Sequence, residues 1–200
     1  MSYVFSIKKT VQATAIILKA APDCQLNYMK FLKLLYIADR ESIKETGVPI
    51  TGDSPVAMRH GPVLSKVYDL IMKRDVAESD LWEEIIEKNG LTITLLDDPG
   101  DEELCQYEID KLKEVFTRYE DKNQFDMRDI THAFEEWKKN DPGHSSQLIP
   151  LEHIIDAVGR SDDLGAVHRG HQWHRAVSRH AAGRCRSRGH GRGQHRDRKR

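Results

Sequence analysis

Apolar residues recur along the first 160 positions mostly with the period of a helix. Ile7, Val11, Thr14, Ala15 and Leu18 fall at i, i+4, i+7, i+8 and i+11, predicting an amphipathic helix over 6–20. Pro22 and Asp23 interrupt it. A second helix is predicted from about 27 to 45, with Gly47 as a left-handed C-terminal cap. Its apolar residues Phe31, Leu32, Leu34, Leu35, Ile37 and Ala38 cover most of the circumference, which marks a central, buried helix. Residues 48–60 hold two prolines and a glycine and read as an extended connector with short strand pairing. Gly61 and Pro62 predict a helix restart, with Pro62 in its first turn, Val63, Val67, Leu70 and Ile71 on one face, and Leu64 and Tyr68 as a second stripe.

Farther along, a helix is predicted over 78–88, stopped by Asn89 and Gly90. Residues 91–95 alternate and include Ile93 between two threonines, the best strand in the chain. Asp98-Pro99-Gly100-Asp101 reads as a turn, after which Leu104 to Gln106 are expected to pair back. Ile109, Leu112, Val115, Phe116 and Tyr119 predict a helix over 106–120, and Ile130, Ala133, Phe134 and Trp137 another over 126–139. A last helix is expected over 150–158, from Pro150 to Gly159. The expected fold is mainly α with a small β-hairpin or sheet (α+β), one compact helical domain over 1–160.

Charge divides the 200 residues more sharply than hydrophobicity does. The formal net charge is −1, but residues 1–160 hold 20 Lys+Arg against 29 Asp+Glu, a net −9. Residues 161–200 hold 11 against 3, a net +8, with 10 Arg and 6 of the 10 His. After Leu164 the large apolar residues of that tail are only Val167, Trp173 and Val177. So little apolar surface does not offset chain ordering, and the segment is expected to be disordered. Three readings of it stay open: a solvated extension, an arginine-rich nucleic-acid arm, or the product of a shifted reading frame.

The pattern excludes several classes. No apolar run reaches the roughly 18–20 residues of a membrane span, and the N-terminus lacks the apolar core of a secretory signal. Cys24, Cys105 and Cys185 are too scattered for a disulfide framework or a zinc knuckle, so a cytoplasmic setting is expected. No Gly-rich phosphate loop, GxSxG elbow, HExxH or kinase signature occurs, and no cofactor is implied. Cys105 as a nucleophile would need His60, His132, His144 or His153 brought beside it; its place before a helix reads better as a cap. His132 with Glu135 or Glu136 has no recognised metal-ligand spacing.

The stretch from Tyr28 to Tyr68 sets polar groups, including Asp39, Arg40, Arg59 and His60, in apolar surroundings. Such groups are internal staples or a recognition surface, and composition favours staples. The run Met29-Lys30-Phe31-Leu32-Lys33-Leu34-Leu35-Tyr36-Ile37-Ala38-Asp39-Arg40 is followed by Gly47, Pro49-Ile50-Thr51-Gly52-Asp53, Ala57-Met58-Arg59-His60-Gly61-Pro62-Val63 and Val67-Tyr68. Together with Leu104-Cys105-Gln106-Tyr107-Glu108 and Ile130-Thr131-His132 before Trp137, it resembles the SocA-like Panacea antitoxin domain, over about residues 7–158. The family's cap position usually holds Ser where this chain has Cys105.

The resemblance implies an antitoxin of a two-gene toxin–antitoxin system. Its partner would be a cognate protein toxin, and it would act by binding rather than as an enzyme. It further implies delivery of that toxin to an ATP-dependent protease as one mode of action. The positions it carries over are Tyr36, Asp39, Arg40, Arg59, His60, Gly61, Pro62, Tyr68, His132 and Trp137. The alternative from another class is a nucleic-acid-associated regulator using the Arg-rich tail.

Overall fold

The computed structural model describes residues 3–162 apart from 75, 78, 142 and 144. The readings of the basic tail therefore lie, beyond Ser161 and Asp162, outside the described residues. The chain runs as α1 (Ile7–Ala20), a 3₁₀ turn (Pro22–Cys24), β1 (Gln25–Asn27), α2 (Tyr28–Thr46), β2 (Pro55–Met58), β3 (Gly61–Leu64), α3 (Ser65–Ile71) and α4 (Ser79–Ile85). There follow β4 (Ile86–Asn89), β5 (Thr92–Leu95), α5 (Gln106–Arg118), α6 (Gln124–His132), α7 (Glu135–Lys139), β6 (Gln147–Leu148) and α8 (Leu151–Ala157). The fold is mostly helical with two small three-stranded antiparallel sheets. Among the described residues no helix is long and apolar enough to cross a membrane.

The expected central helix is central. Phe31, Leu34, Leu35 and Ala38 of α2 have no exposed surface, and the helix meets α5, α6 and β3. Its ends are closed by local chemistry. Asn27 accepts hydrogen bonds from the amides of Met29 and Lys30, and Gly47 takes φ 82° to turn the chain out of the helix. A smaller apolar cluster of Ile43, Ala57, Ile149, Ile154, Ile155 and Val158 joins the end of α2 to β2, β6 and α8.

Four expectations are corrected. Gly61 and Pro62 do not start a helix; they form β3, paired antiparallel with β2 as Met58↔Gly61 and Ala57↔Pro62. Proline is tolerated because β3 is an edge strand in the order β3-β2-β6. The predicted helix over 78–88 stops at Ile85, and its last residues become β4, drawn into pairing by β5. Leu104 to Gln106 do not pair back. The third strand beside β5 is β1, with Leu26 opposite Ile93, while Cys105 begins α5 and donates its amide to Glu108 Oε2 at 3.0 Å.

The single helix over 126–139 is in fact α6 and α7. The backbone is extended at Phe134 (φ −70°, ψ 133°), which turns Glu136 inward. His132 and Glu136 thus stand on different helices, and among the described residues no group of three or more His, Cys, Asp or Glu side chains is placed to hold a metal ion.

Candidate functional site

Three of the motif residues project from α2 into the domain, and their partners come from distant segments. Asp39 is 3% exposed. Its Oδ1 accepts from the amides of Ile50 and Thr51 at 3.0 and 3.1 Å, and Oδ2 accepts from Thr51 Oγ1 at 2.5 Å. The carboxyl thereby pins the connector after Gly47 onto α2. Burial pushes Asp39 up to about 7, against the downward pull of the Thr51 and Ile50 hydrogen bonds.

Asp53, at the end of that connector, accepts from the amides of Ser54 and Val67. It supplies the acceptor that Leu64, at the N-cap of α3, lacks.

Tyr36 and Arg40 converge on Glu136. Arg40 Nε and Nη2 donate to the two carboxylate oxygens at 2.6 and 3.3 Å, and the Tyr36 hydroxyl donates to Oε1 at 3.0 Å. The Glu136 side chain is fully buried and that of Arg40 is 17% exposed. The guanidinium also lies 4.3 Å from the Phe134 ring centroid. Asn140 Nδ2 closes the node by donating to the Glu136 backbone carbonyl at 2.7 Å. Tyr36, Asp39 and Arg40 share a cavity of about 290 Å³ with Tyr3, Asp53 and Leu148. Tyr36, Asp39 and Arg40 together tie α2 to the connector and to α7, whereas Arg59 and His60, for which composition also favoured internal staples, are exposed.

The hairpin residues divide between inside and outside. Arg59 and His60 are exposed at the β2–β3 turn, while Gly61 and Pro62 are buried behind them. Gly61 takes φ +93°, and a Cβ there would lie 2.7 Å from Thr131 Oγ1 and 3.0 Å from Lys33 Nζ. Only glycine lets the turn close this tightly over α2 and α6. Behind the turn, His132 stacks on Trp137 with ring centroids 3.9 Å apart and planes 9° from parallel. Trp137 Nε1 donates to the Met58 carbonyl at 3.1 Å. His132 Nε2 is buried without a hydrogen-bond partner among the described residues. Burial and the neighbouring Lys33 lower the His132 pKa.

Trp137 is half-buried, neither wholly core nor free surface. Trp137→Ala is expected to cost about 1–3 kcal/mol, from loss of the ring stack and of the donor to the Met58 carbonyl. Denaturant unfolding checks this; a loss beyond about 4 kcal/mol would place Trp137 in the core instead.

Two contributors carried no sequence signal strong enough to single them out. The sequence raises Glu136 only beside His132 as a metal-ligand pair whose spacing fits none. Lys33 is 3% exposed, and its Nζ donates to the Pro62 carbonyl at 2.8 Å. A lysine on an otherwise all-round apolar helix face was the available clue. Burial pushes Lys33 down to about 7. Unfolded, a lysine holds its proton up to about pH 10.4. Between those limits the unfolded chain binds more protons, so this residue makes stability rise with pH. Relative to Lys33→Met, the native chain should gain stability between pH 7 and 9, with a slope approaching about 1.4 kcal/mol per unit. Parallel stability–pH curves would contradict the buried, depressed amine.

Between the hairpin turn, the start of α2 and α3 lies a cleft of about 400 Å³, lined by Tyr28, Lys33, Arg59, His60, Tyr68 and Arg74 among others. Arg74 lies 5.2 Å from the Tyr68 ring and pairs with Asp69 at 2.9 Å, and Lys88 lies 5.4 Å from the Tyr28 ring. Motif residues thus fall in three settings: the Tyr36, Asp39 and Arg40 staples, the His132–Trp137 stack behind the turn, and the cleft lining with Arg59, His60 and Tyr68.

Neither a curated protein nor a solved structure matches the chain. A family model described as "Antitoxin SocA-like, Panacea domain" matches residues 31–138. That span is shorter than the resemblance over 7–158 suggested, leaving out α1 and α8, but it contains all ten carried-over positions. With more than half of its length matched, the chain belongs to the SocA-like Panacea antitoxin domain family.

Proposed function

We propose that this chain is an antitoxin that neutralises a cognate protein toxin by direct, non-catalytic binding. The surface around the β2–β3 turn, with Arg59, His60, Tyr68, His132 and Trp137, makes the contact. The observation that carries this reading is the division of the motif within the family's matched span. Tyr36, Asp39, Gly61 and Pro62 are buried and support the scaffold, whereas Arg59 and His60 are exposed on a hairpin held from beneath by the Lys33 and Trp137 hydrogen bonds. Exposed side chains on a rigid turn are economical recognition elements, since little ordering entropy is lost on binding.

Co-expression with the product of the adjacent gene tests the reading. That product alone should arrest growth, this chain should relieve the arrest, and Arg59→Glu combined with His60→Glu should abolish relief while the protein stays folded. Arrest that this chain does not relieve would overturn the antitoxin reading. Relief undiminished by the double variant would overturn the assigned surface. Delivery to an ATP-dependent protease belongs to the same proposal: toxin abundance should then fall during relief, and should recover when the protease is removed.

A further inference from the structure

The cleft beside the hairpin turn is chemically unlike the domain that carries it. Residues 1–160 are net −9, yet no Asp or Glu is among the cleft's described lining residues, which include Lys33, Arg59, His60 and Arg74. Arg74 is satisfied by Asp69 outside the lining. Arg59 has no carboxylate partner among the described residues, and neither has Lys33, whose buried Nζ meets only the Pro62 carbonyl. A buried amine with no counter-charge holds its proton poorly, and an anion entering the cleft would favour its charged form. Tyr28 and Tyr68 add aromatic surface to the same walls. The volume of about 400 Å³ lies within the range of small-molecule sites.

We propose that this cleft binds a phosphorylated aromatic small molecule of mononucleotide size, its phosphate met by Arg59 and Lys33 and its ring set against Tyr28 or Tyr68. Arginine forks and a lysine point charge are the donors suited to a phosphate, and tyrosine faces accept a base of any identity. A compact ligand is favoured over a polyanion because a long nucleic acid or acidic segment leaving the cleft would run over a net-negative surface. The proposal is independent of the antitoxin reading, and its test needs no toxin.

Met29 and Met58 line the cleft, whereas Met127 is fully buried in the core and is not among the lining residues. The full chain, labelled with ¹³C at its methionine methyls, is therefore titrated with adenosine monophosphate and separately with inorganic phosphate. Adenosine monophosphate should shift the Met29 and Met58 signals saturably and leave Met127 in place. Arg59→Glu should weaken that binding by about tenfold or more, and inorganic phosphate should bind about tenfold more weakly than the nucleotide. Still methyls at about 5 mM nucleotide would overturn the proposal, as binding that weak lies near the bottom of specific affinity. So would nucleotide binding unchanged in Arg59→Glu, which would place the ligand elsewhere on the chain. Phosphate binding as tightly as the nucleotide would overturn the aromatic assignment, and an acidic peptide binding more tightly than either would reassign the cleft to a protein partner.

Discussion

Replacing Glu136 by Ala should cost about 3–5 kcal/mol of folding stability. The carboxylate is fully buried and satisfies three donors at once, the Tyr36 hydroxyl and two nitrogens of Arg40. Its removal leaves a buried hydroxyl unpaired and a largely buried guanidinium without its counter-charge. Both losses act on α2, the helix to which the rest of the core is fitted. The penalty is one of breaking the pair rather than a measure of what the pair adds. Glu136→Leu combined with Arg40→Met should therefore recover the part of the loss that comes from the uncompensated charge, leaving that of the unpaired Tyr36 hydroxyl. Equilibrium unfolding in urea checks both. A single variant that loses less than about 1 kcal/mol would show that water reaches the Arg40–Glu136 node and screens it.

Leu35→Ala should cost about 2–5 kcal/mol. Leu35 has no exposed surface, and it lies on a helix that meets α5, α6 and β3. The truncation loses the apolar area of the side chain and leaves a space that surrounding elements from three directions cannot all close. A larger loss within the range signals a rigid surround, a smaller one partial collapse. A loss of stability below about 0.5 kcal/mol would show that α2 is not the centre of the core.

The helices of the core were legible because burial imposes a period. The all-round apolar pattern from Phe31 to Ala38 led directly to the central position of α2. The cap residues followed for the same kind of reason: Gly47 was identified because a left-handed residue ends a helix cheaply only if it is glycine.

What was misread is tertiary in origin. Gly61-Pro62 satisfies the local rule for a helix start, yet pairing with β2 and the Lys33 bond to the Pro62 carbonyl make it a strand. The apolar spacing of Ile130, Phe134 and Trp137 runs unbroken across α6 and α7, and nothing local announces the extended backbone at Phe134. β1 and β6 have three and two residues, too few to show any alternation. The motif residues were all visible, but their division into interior and exterior was not. Asp39 and Arg40 are adjacent in sequence and end in separate networks. Their partners, Thr51 and Glu136, lie 12 and 96 residues from them.

The proposed function places toxin binding on the exposed side of the β2–β3 hairpin. Mixing the purified full chain with the purified product of the adjacent gene, and measuring the heat of binding, tests it most directly. A saturating one-step isotherm of defined stoichiometry, lost in the Arg59→Glu, His60→Glu variant whose unfolding midpoint is unchanged, is the predicted result. No heat and no co-elution of the two native proteins would contradict it.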